Sequence, residues 1–511
     1  SSQPSERAQS VLAEGGINAS LDIMGEDDSV EEHYLDTMKG GVWLADPNAV
    51  WGLVSDAPGI VRDLAALGVP FQREKGAMIQ RNFGGQKKKR TAYAQSSTGK
   101  VLVTALVDEV RRLEAGGLVQ RLPHAELVSL CIEDGRCVGV RVCDAYSGSE
   151  QTLAGPVILA NGGMGGLFGG LTTGTTTNSG DVAALALAAG VELANLEFLQ
   201  YHPTTVPITG KRLLVSEAAR GEGGRLYVMR DGVPWYFMED KYPELGNLMS
   251  RDVVSREEEA VLADPAYGDQ VYLDLRELPR RVWRERLADM HDELKHYLGI
   301  DATREPVPVE PGIHYCMGGI LVDARHRTNI EGLLAAGECA CAYHGANRLG
   351  GNSLLGAIRG GREAARTILG GSLAAASVPA GNDAPCMEPL SQTCSADIPV
   401  ELAMRKTLMH CMGITRTGDE LRAGFSALEK LGVDGCSQRM KLRLQLARAT
   451  VSCAIAREES RGAHQRHDFP QTSEDFRRTT VVAARELGVS TLGAHIRFRA
   501  LPEPGEGVPR P

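Results

Sequence analysis

Four parts of the sequence concentrate side chains that grip carboxylates and move protons. Gln200-Tyr201-His202-Pro203-Thr204 is followed by Ser216-Glu217-Ala218-Ala219-Arg220-Gly221, so an imidazole, a carboxylate and a guanidinium share one glycine-edged stretch. Ser250-Arg251-Asp252 adds another guanidinium, and His314-Tyr315-Cys316-Met317-Gly318-Gly319 another imidazole. The run from His344 through Arg348 to Leu354 adds both again. Histidine and glutamate suit proton transfer, and the planar fork of arginine binds a carboxylate through paired charge-assisted hydrogen bonds. Any one block, taken alone, reads equally well as surface charge on a loop.

Phosphate-bearing ligands demand close backbone approach, and the 59 glycines gather in short clusters near positions 15, 84, 162, 223, 318 and 350. The elements needed to position these groups are readable. Leu102, Val103, Leu106, Val110 and Leu113 recur at helical spacing, with Gly116-Gly117 as the stop. Alternating apolar positions from Leu127 to Ile132 and from Val138 to Val142 flank Asp134-Gly135, which predicts a hairpin. Pro156 to Ala160 reads as a buried strand running into Asn161-Gly162-Gly163. The stretch from about Pro203 to Tyr315, with Trp235 and Trp283, reads as an inserted unit, and helical patterning returns from Val400 to Arg457.

The chain has 511 residues, too many for one hydrophobic core. Its apolar fraction of 43%, charged fraction of 23% and mean hydropathy of -0.17 are those of a water-soluble globular protein, with no apolar run of membrane-spanning length. A net charge of -10 argues against a nucleic-acid binder. The 11 cysteines include no Cys-x-x-Cys pair, so no disulfide framework, zinc site or iron–sulfur cluster is expected, and no metal. Ser1 to Ala8 is polar and does not read as a signal peptide. A reducing, cytoplasmic setting follows.

Together the quoted blocks resemble, in type and order, the motifs of the flavoprotein subunit of the fumarate reductase and succinate dehydrogenase family, from the first residues through Arg466. The resemblance implies an α/β fold: a discontinuous, Rossmann-like FAD-binding domain, an inserted α+β capping domain and a C-terminal helical domain. The implied boundaries are 1–204 and 316–372 for the FAD-binding domain, 205–315 for the cap, 373–397 for a linker and 398–511 for the helical domain and tail. Closure of the cap would exclude water.

By resemblance, FAD contacts Ser10, Ala13, Glu14, Gly15 and Gly16 in a loop around the flavin, and Asn161, Gly162, Gly163 and Asp181 in a second region. Glu338 holds the ribityl chain, His314 and Tyr315 border the ring, and Arg348 with Asn352, Ser353 and Leu354 brings helix N-terminal amides close to it. Ala125, Glu126 and Leu127 fall on the adenine side. The implied reaction interconverts fumarate and succinate by hydride transfer at flavin N5. Arg348, His314 and His202 would clamp the dicarboxylate, Ser216 and Thr204 complete the clamp, and Phe83-Gly84 lie over the other carboxylate. Arg251 is the proton donor, fed through Glu217 and Arg220; the other assignment gives the acid–base role to His202 and Arg220. The basic run Gln86 to Arg90 reads either as a solvated face or as electrostatic guidance, and Ser460 to His464 reads as structural.

Two departures from the family pattern stand out. Gln9 occupies the position of the histidine that bonds covalently to flavin, so FAD is expected to be non-covalent and fumarate reduction to be favoured. The strand, Gly-x-Gly-x-x-Gly turn and helix that open relatives have no counterpart after Ser1. This leaves two alternatives open beside the dicarboxylate reading: an L-aspartate oxidase, and, from another class, a flavin-free non-catalytic remnant. With no cluster or haem motif in the chain, the resemblance implies an iron–sulfur partner subunit, with a membrane-anchor subunit placing the complex at the cytoplasmic face of the inner membrane.

Overall fold

Turn chemistry sets where the elements end. The computed structural model describes residues 3–371, 385–392, 394–484 and 496–510. Asp134 and Gly135 take φ of 46° and 78°, the two positive values that a tight hairpin needs. They join Ala125–Glu133 to Arg136–Asp144, and Glu150–Ala154 adds a third antiparallel strand. The helix expected to stop at Gly116-Gly117 is Thr98–Ala115, and Gly117 takes φ 73° beyond it.

The strand preceding Asn161 is Val157–Leu159, and it pairs in parallel with Leu333–Ala335. Among the described residues these two form a parallel sheet of their own. Their carboxyl ends run into Ala160 to Gly162 and Ala336 to Glu338, the side on which open α/β sheets bind ligands. A long helix, Asn352–Gly370, starts from Gly351 at φ 83°. A Cβ on Gly351 would stand 2.1 Å from Asn18 Oδ1, so only glycine lets the chain turn there.

The inserted unit carries a six-stranded antiparallel sheet ordered Lys211–Leu214, Leu199–Ile208, Val307–Cys316, Val271–Asp274, Arg225–Arg230, Val233–Trp235. It encloses its own apolar core, in which Leu226, Phe237, Val254, Leu273 and Trp283 are buried and Trp235 packs at the edge. The boundaries expected at 204/205 and 315/316 fall within Leu199–Ile208 and Val307–Cys316. Two continuous strands therefore link the inserted unit to the rest of the chain, and both carry site residues.

The helical patterning after Val400 corresponds to Asp397–Cys411, Gly418–Glu429 and Gln438–Ala456, the second opened by a Thr417/Glu420 capping box. Residues 373–384 and 393 of the expected linker lie outside the described residues, and Asp397, its last residue, already begins a helix. Of the range 398–511 expected to hold a helical domain and tail, the described α-helices end at Ala456 and the tail contributes strands. Arg478–Val482 and Arg497–Ala500 are strands that extend a sheet containing Leu193–Ala194, Gly319–Leu321 and Ala340–Cys341. A buried ionic network holds this junction. Arg457 donates to Glu197 at 2.7 Å and to Glu459 at 2.8 Å, and Arg461 donates to Glu459 at 2.7 Å, with every side chain at most 2% exposed. Removing one partner would strand a buried charge, which accounts for the structural reading of Ser460 to His464. Among the described residues, no helix is long and apolar enough to cross a membrane.

Candidate active site

Arg251 opens the helix Arg251–Ala263 and pairs with a buried carboxylate of the same inserted unit. Its Nε and Nη2 donate to the same oxygen of Glu217, Oε2, at 2.9 and 2.6 Å, and its Nη1 donates to Gln200 Oε1 at 3.0 Å. Glu217 begins the short helix Glu217–Gly221, and Ser216 caps it by accepting from the Ala218 N–H at 3.3 Å. Behind Glu217, Arg220 Nη2 stands 3.4 Å from Oε1, and its Nη1 donates to the Asn247 carbonyl at 2.6 Å. Burial alone would push the Glu217 carboxyl up; Arg251 and Arg220 outweigh it and hold the group ionised below its usual range.

His202 and His314 face each other with ring centroids 5.1 Å apart. Burial first, and the Arg251 guanidinium second, depress both imidazoles well below the ordinary range, so both are neutral. Thr173 Oγ1 lies 2.8 Å from His314 Nδ1 and fixes that ring. Arg348 stacks over Tyr315, its guanidinium carbon 4.4 Å from the ring centroid. Burial, then repulsion from Arg251, lowers the Arg348 guanidinium to about 9. Arg251 and Arg348 thus face one space, with the Glu217 carboxylate at its wall compensating Arg251.

Arg251, Glu217, His202, His314, Ser216 and Arg348 all line one cavity of ≈ 250 Å³. Phe83 also lines it, and its other walls include Ser10, Ala13, Glu14, Gly15 and Gly16, then Gly162, Tyr315 and Glu338, then Ser353 and Leu354. The structure thus brings together most of the residues singled out in the sequence. The walls fit the flavin and ribityl parts of FAD by three observations. Glu14 Oε2 and Arg348 Nε are buried without a hydrogen-bond partner, so polar groups in the walls await a ligand. The N-terminus of Asn352–Gly370 opens onto the cavity through Ser353 and Leu354 and presents its positive dipole end. A Cβ on Gly163 would lie 2.3 Å from Glu338 Oε1, so the backbone there must be bare to hold that carboxylate. Burial raises the Glu338 carboxyl to about 7.

Other expected residues lie elsewhere. Thr204 sits behind His202, 3.3 Å from its Nδ1, and donates to the Val215 carbonyl at 2.7 Å, so it positions the imidazole instead of lining the cavity. Gly84 packs on Glu217, where a Cβ would meet Oε1 at 2.0 Å. Asn352 turns inward to Asn18 at 2.9 Å and Thr37 at 3.1 Å. Asn161 donates to the Gly162 carbonyl at 3.1 Å. Asp181 is held by Arg439 and Arg443, and Glu126 accepts from the Leu390 N–H at 2.7 Å and from Arg439. Ala125, Glu126, Leu127 and Asp181 do not line the cavity. Arg220 does not line it either, which places Glu217 between it and any substrate. In the basic run, Lys88 bonds the Glu26 carbonyl, Lys89 pairs with Glu26 at 2.9 Å, and Arg90 is buried between Asp28 at 2.8 Å and Asp36 at 3.0 Å. These charges anchor the 20–36 segment.

Sequence reasoning gave no role to Gln200, Thr173 or Arg81. Gln200 accepts from Arg251 and donates to Asn347 and the Arg348 carbonyl, each at 2.8 Å, linking the two arginines. Arg81 donates to the Gly15 and Glu14 carbonyls and stacks 4.1 Å over Tyr93, bracing the glycine loop. A larger groove of ≈ 1000 Å³, lined by Leu321, Asp323, Leu333 and Glu363 among others, contains none of the residues expected to act.

Comparison with known proteins bears on this geometry. A family model described as "FAD binding domain" matches residues 1–354, and one described as "Fumarate reductase flavoprotein C-term" matches 401–501. The chain is 36% identical to the succinate dehydrogenase flavoprotein subunit of Bacillus subtilis, covering 92% of this chain and 87% of that one. It is also 36% identical to the fumarate reductase flavoprotein subunit of Mycobacterium tuberculosis, covering 95% and 90%. The solved structure of FrdA from E. coli quinol fumarate reductase superposes with a TM-score of 0.85 at 29% identity, covering 99% of this chain and 92% of that one.

Proposed function

Because the chain belongs to the family of FAD-dependent fumarate reductase and succinate dehydrogenase flavoproteins, we propose that its cavity binds a four-carbon dicarboxylate and that it interconverts fumarate and succinate. The observation that carries this reading is the cavity face of Arg251, held by Glu217 and Gln200 across from His314 and Arg348.

The cavity residues divide the work. Arg348 and His314 hold one carboxylate, and His202 with Ser216 the other, each neutral imidazole free to donate one N–H. Phe83 covers the substrate and excludes water. Glu14, Gly15, Gly16, Glu338 and the Asn352–Gly370 N-terminus would hold FAD, which when bound would supply hydride chemistry at its N5. Arg251 delivers a proton to one alkene carbon. Of the two acid assignments, this one fits the geometry better: His202 is neutral and deprotonated on one ring nitrogen, and Arg220 is separated from the cavity by Glu217. Loss of a guanidinium proton is transient, because the Glu217 carboxylate, within 2.6 Å of Arg251, can relay one from Arg220 on its other oxygen.

The flavin is held non-covalently. Gln9 lines the cavity with its Oε1 accepting from the Thr175 N–H at 2.7 Å, and an amide forms no bond to flavin. A non-covalent flavin favours fumarate reduction. Electrons arrive from an iron–sulfur subunit, with a membrane-anchor subunit holding the complex at the cytoplasmic membrane face. Oxidation of the reduced holoprotein by fumarate tests the reading.

A further inference from the structure

A ring of hydrogen bonds closes behind the cavity wall. Arg251 Nη1 donates to Gln200 Oε1 at 3.0 Å, and Gln200 Nε2 donates to Asn347 Oδ1 and to the Arg348 carbonyl, both at 2.8 Å. Asn347 Nδ2 in turn donates to Asp252 Oδ1 at 2.9 Å. Asp252 follows Arg251 at the start of Arg251–Ala263, so the bonds return to the neighbour of the residue they left. The ring joins that helix to the strand Leu199–Ile208 and to the loop carrying Arg348.

Its direction has one solution. A guanidinium only donates and a peptide carbonyl only accepts, so the Gln200 amide must turn its oxygen to Arg251 and its nitrogen to Arg348. That nitrogen then takes the Asn347 oxygen, which leaves the Asn347 nitrogen for Asp252 and, at 3.3 Å, for the Gly40 carbonyl. Gln200 is 0% exposed and Asn347 2%, and both amides are bonded at oxygen and nitrogen alike. On Arg251, Glu217 takes Nε and one N–H of Nη2 while Gln200 takes one N–H of Nη1, which leaves one N–H on each terminal nitrogen for the cavity. An amide oxygen fixes this fork without adding a second anion, which would hold its protons more tightly.

We propose that Gln200, Asn347 and Asp252 are positioning residues that aim the Arg251 fork and tie its aim to the loop bearing Arg348; this rests on the dicarboxylate reading above. None of them lines the cavity, so they act through the two arginines. Proton donor and carboxylate clamp are thereby set as one unit, and a displaced Arg348 loop also misdirects the proton.

The test is fumarate reduction by the full-chain holoprotein carrying N347L, D252L, D252N or Q200L. N347L and D252L open the ring away from the cavity. In both, kcat should fall about 10²-fold with KM for fumarate little changed, and the solvent deuterium isotope effect should rise because proton delivery now limits turnover. D252N keeps an oxygen for Asn347 and should recover most of the loss seen in D252L. Q200L also releases the Arg348 carbonyl and should raise KM as well. N347L combined with D252L should be no slower than the slower single variant, since both break the same bond. Wild-type kcat in N347L and D252L would overturn the proposal, as would a D252N as slow as D252L. Should Q200L, the most buried change, fail to bind flavin, the comparison of D252N with D252L decides alone. A wild type that fumarate cannot reoxidise would overturn the dicarboxylate reading and this proposal together, whereas variants that match a working wild type overturn this proposal only.

Discussion

Arg251 places two of its N–H groups, Nε and Nη2, on a single oxygen of Glu217, at 2.9 and 2.6 Å, and leaves the other Glu217 oxygen to Arg220. One carboxylate thus serves two buried guanidinium groups, one lining the cavity and one behind it. Replacing Arg251 by glutamine removes the cavity donor while leaving Gln200 and the flavin walls in place. The expected loss in kcat for fumarate reduction is about 10²- to 10⁴-fold with the flavin absorbance retained, as checked by stopped-flow reoxidation.

Glu217→Gln should be the costlier change for the fold. It leaves Arg251 and Arg220 buried without their shared anion, a loss of roughly 3–5 kcal/mol, measurable by denaturant unfolding. The sign with pH follows from the depressed carboxyl. A group ionised more readily in the folded state stabilises above its unfolded pKa and ceases to do so as pH falls through its folded one. The gap between wild type and variant should therefore be widest near neutrality and narrow in acid.

Binding should weaken in alkali. Arg348 titrates at about 9 because burial, and then Arg251, oppose its charge. Its charged form is the one that grips a carboxylate, so KM for fumarate should climb as pH passes that value, while kcat changes less. Fumarate held in the cavity favours the charged form, so saturation shifts the midpoint upward.

Gln9 gives a test of the flavin linkage. Acid precipitation of the holoprotein should leave the pellet colourless and the flavin in the supernatant, because the Gln9 amide, fixed on the Thr175 N–H, offers no nucleophile. A yellow pellet would contradict the non-covalent reading.

Much of the site was legible because its chemistry sits in short contiguous blocks. Glu217 and Arg220 lie one helical turn apart, and Ser216 caps that turn, so their grouping survives folding unchanged. The hairpin at Asp134-Gly135 and the helix stop at Gly116-Gly117 were equally local. What failed needed tertiary information. Register shifts between Gln200 and Tyr201, and between His202 and Thr205, break the alternation of Leu199–Ile208. Which of Gln200, His202 and Thr204 would reach the cavity therefore could not be read from a period of two. Asn352 and Asp181 look like ligand contacts beside glycines, yet long-range partners, Asn18 and Arg439, claim them. The strands Arg478–Val482 and Arg497–Ala500 pair with Leu193–Ala194 or with each other, and that pairing has no local signal.

The measurement that bears most directly on the central claim is anaerobic mixing of dithionite-reduced holoprotein with fumarate, followed by flavin absorbance. Rapid reoxidation with stoichiometric succinate, lost in Arg251→Gln, is the predicted result. Reduced flavin that persists in excess fumarate would contradict a dicarboxylate site built on Arg251, Arg348 and His314.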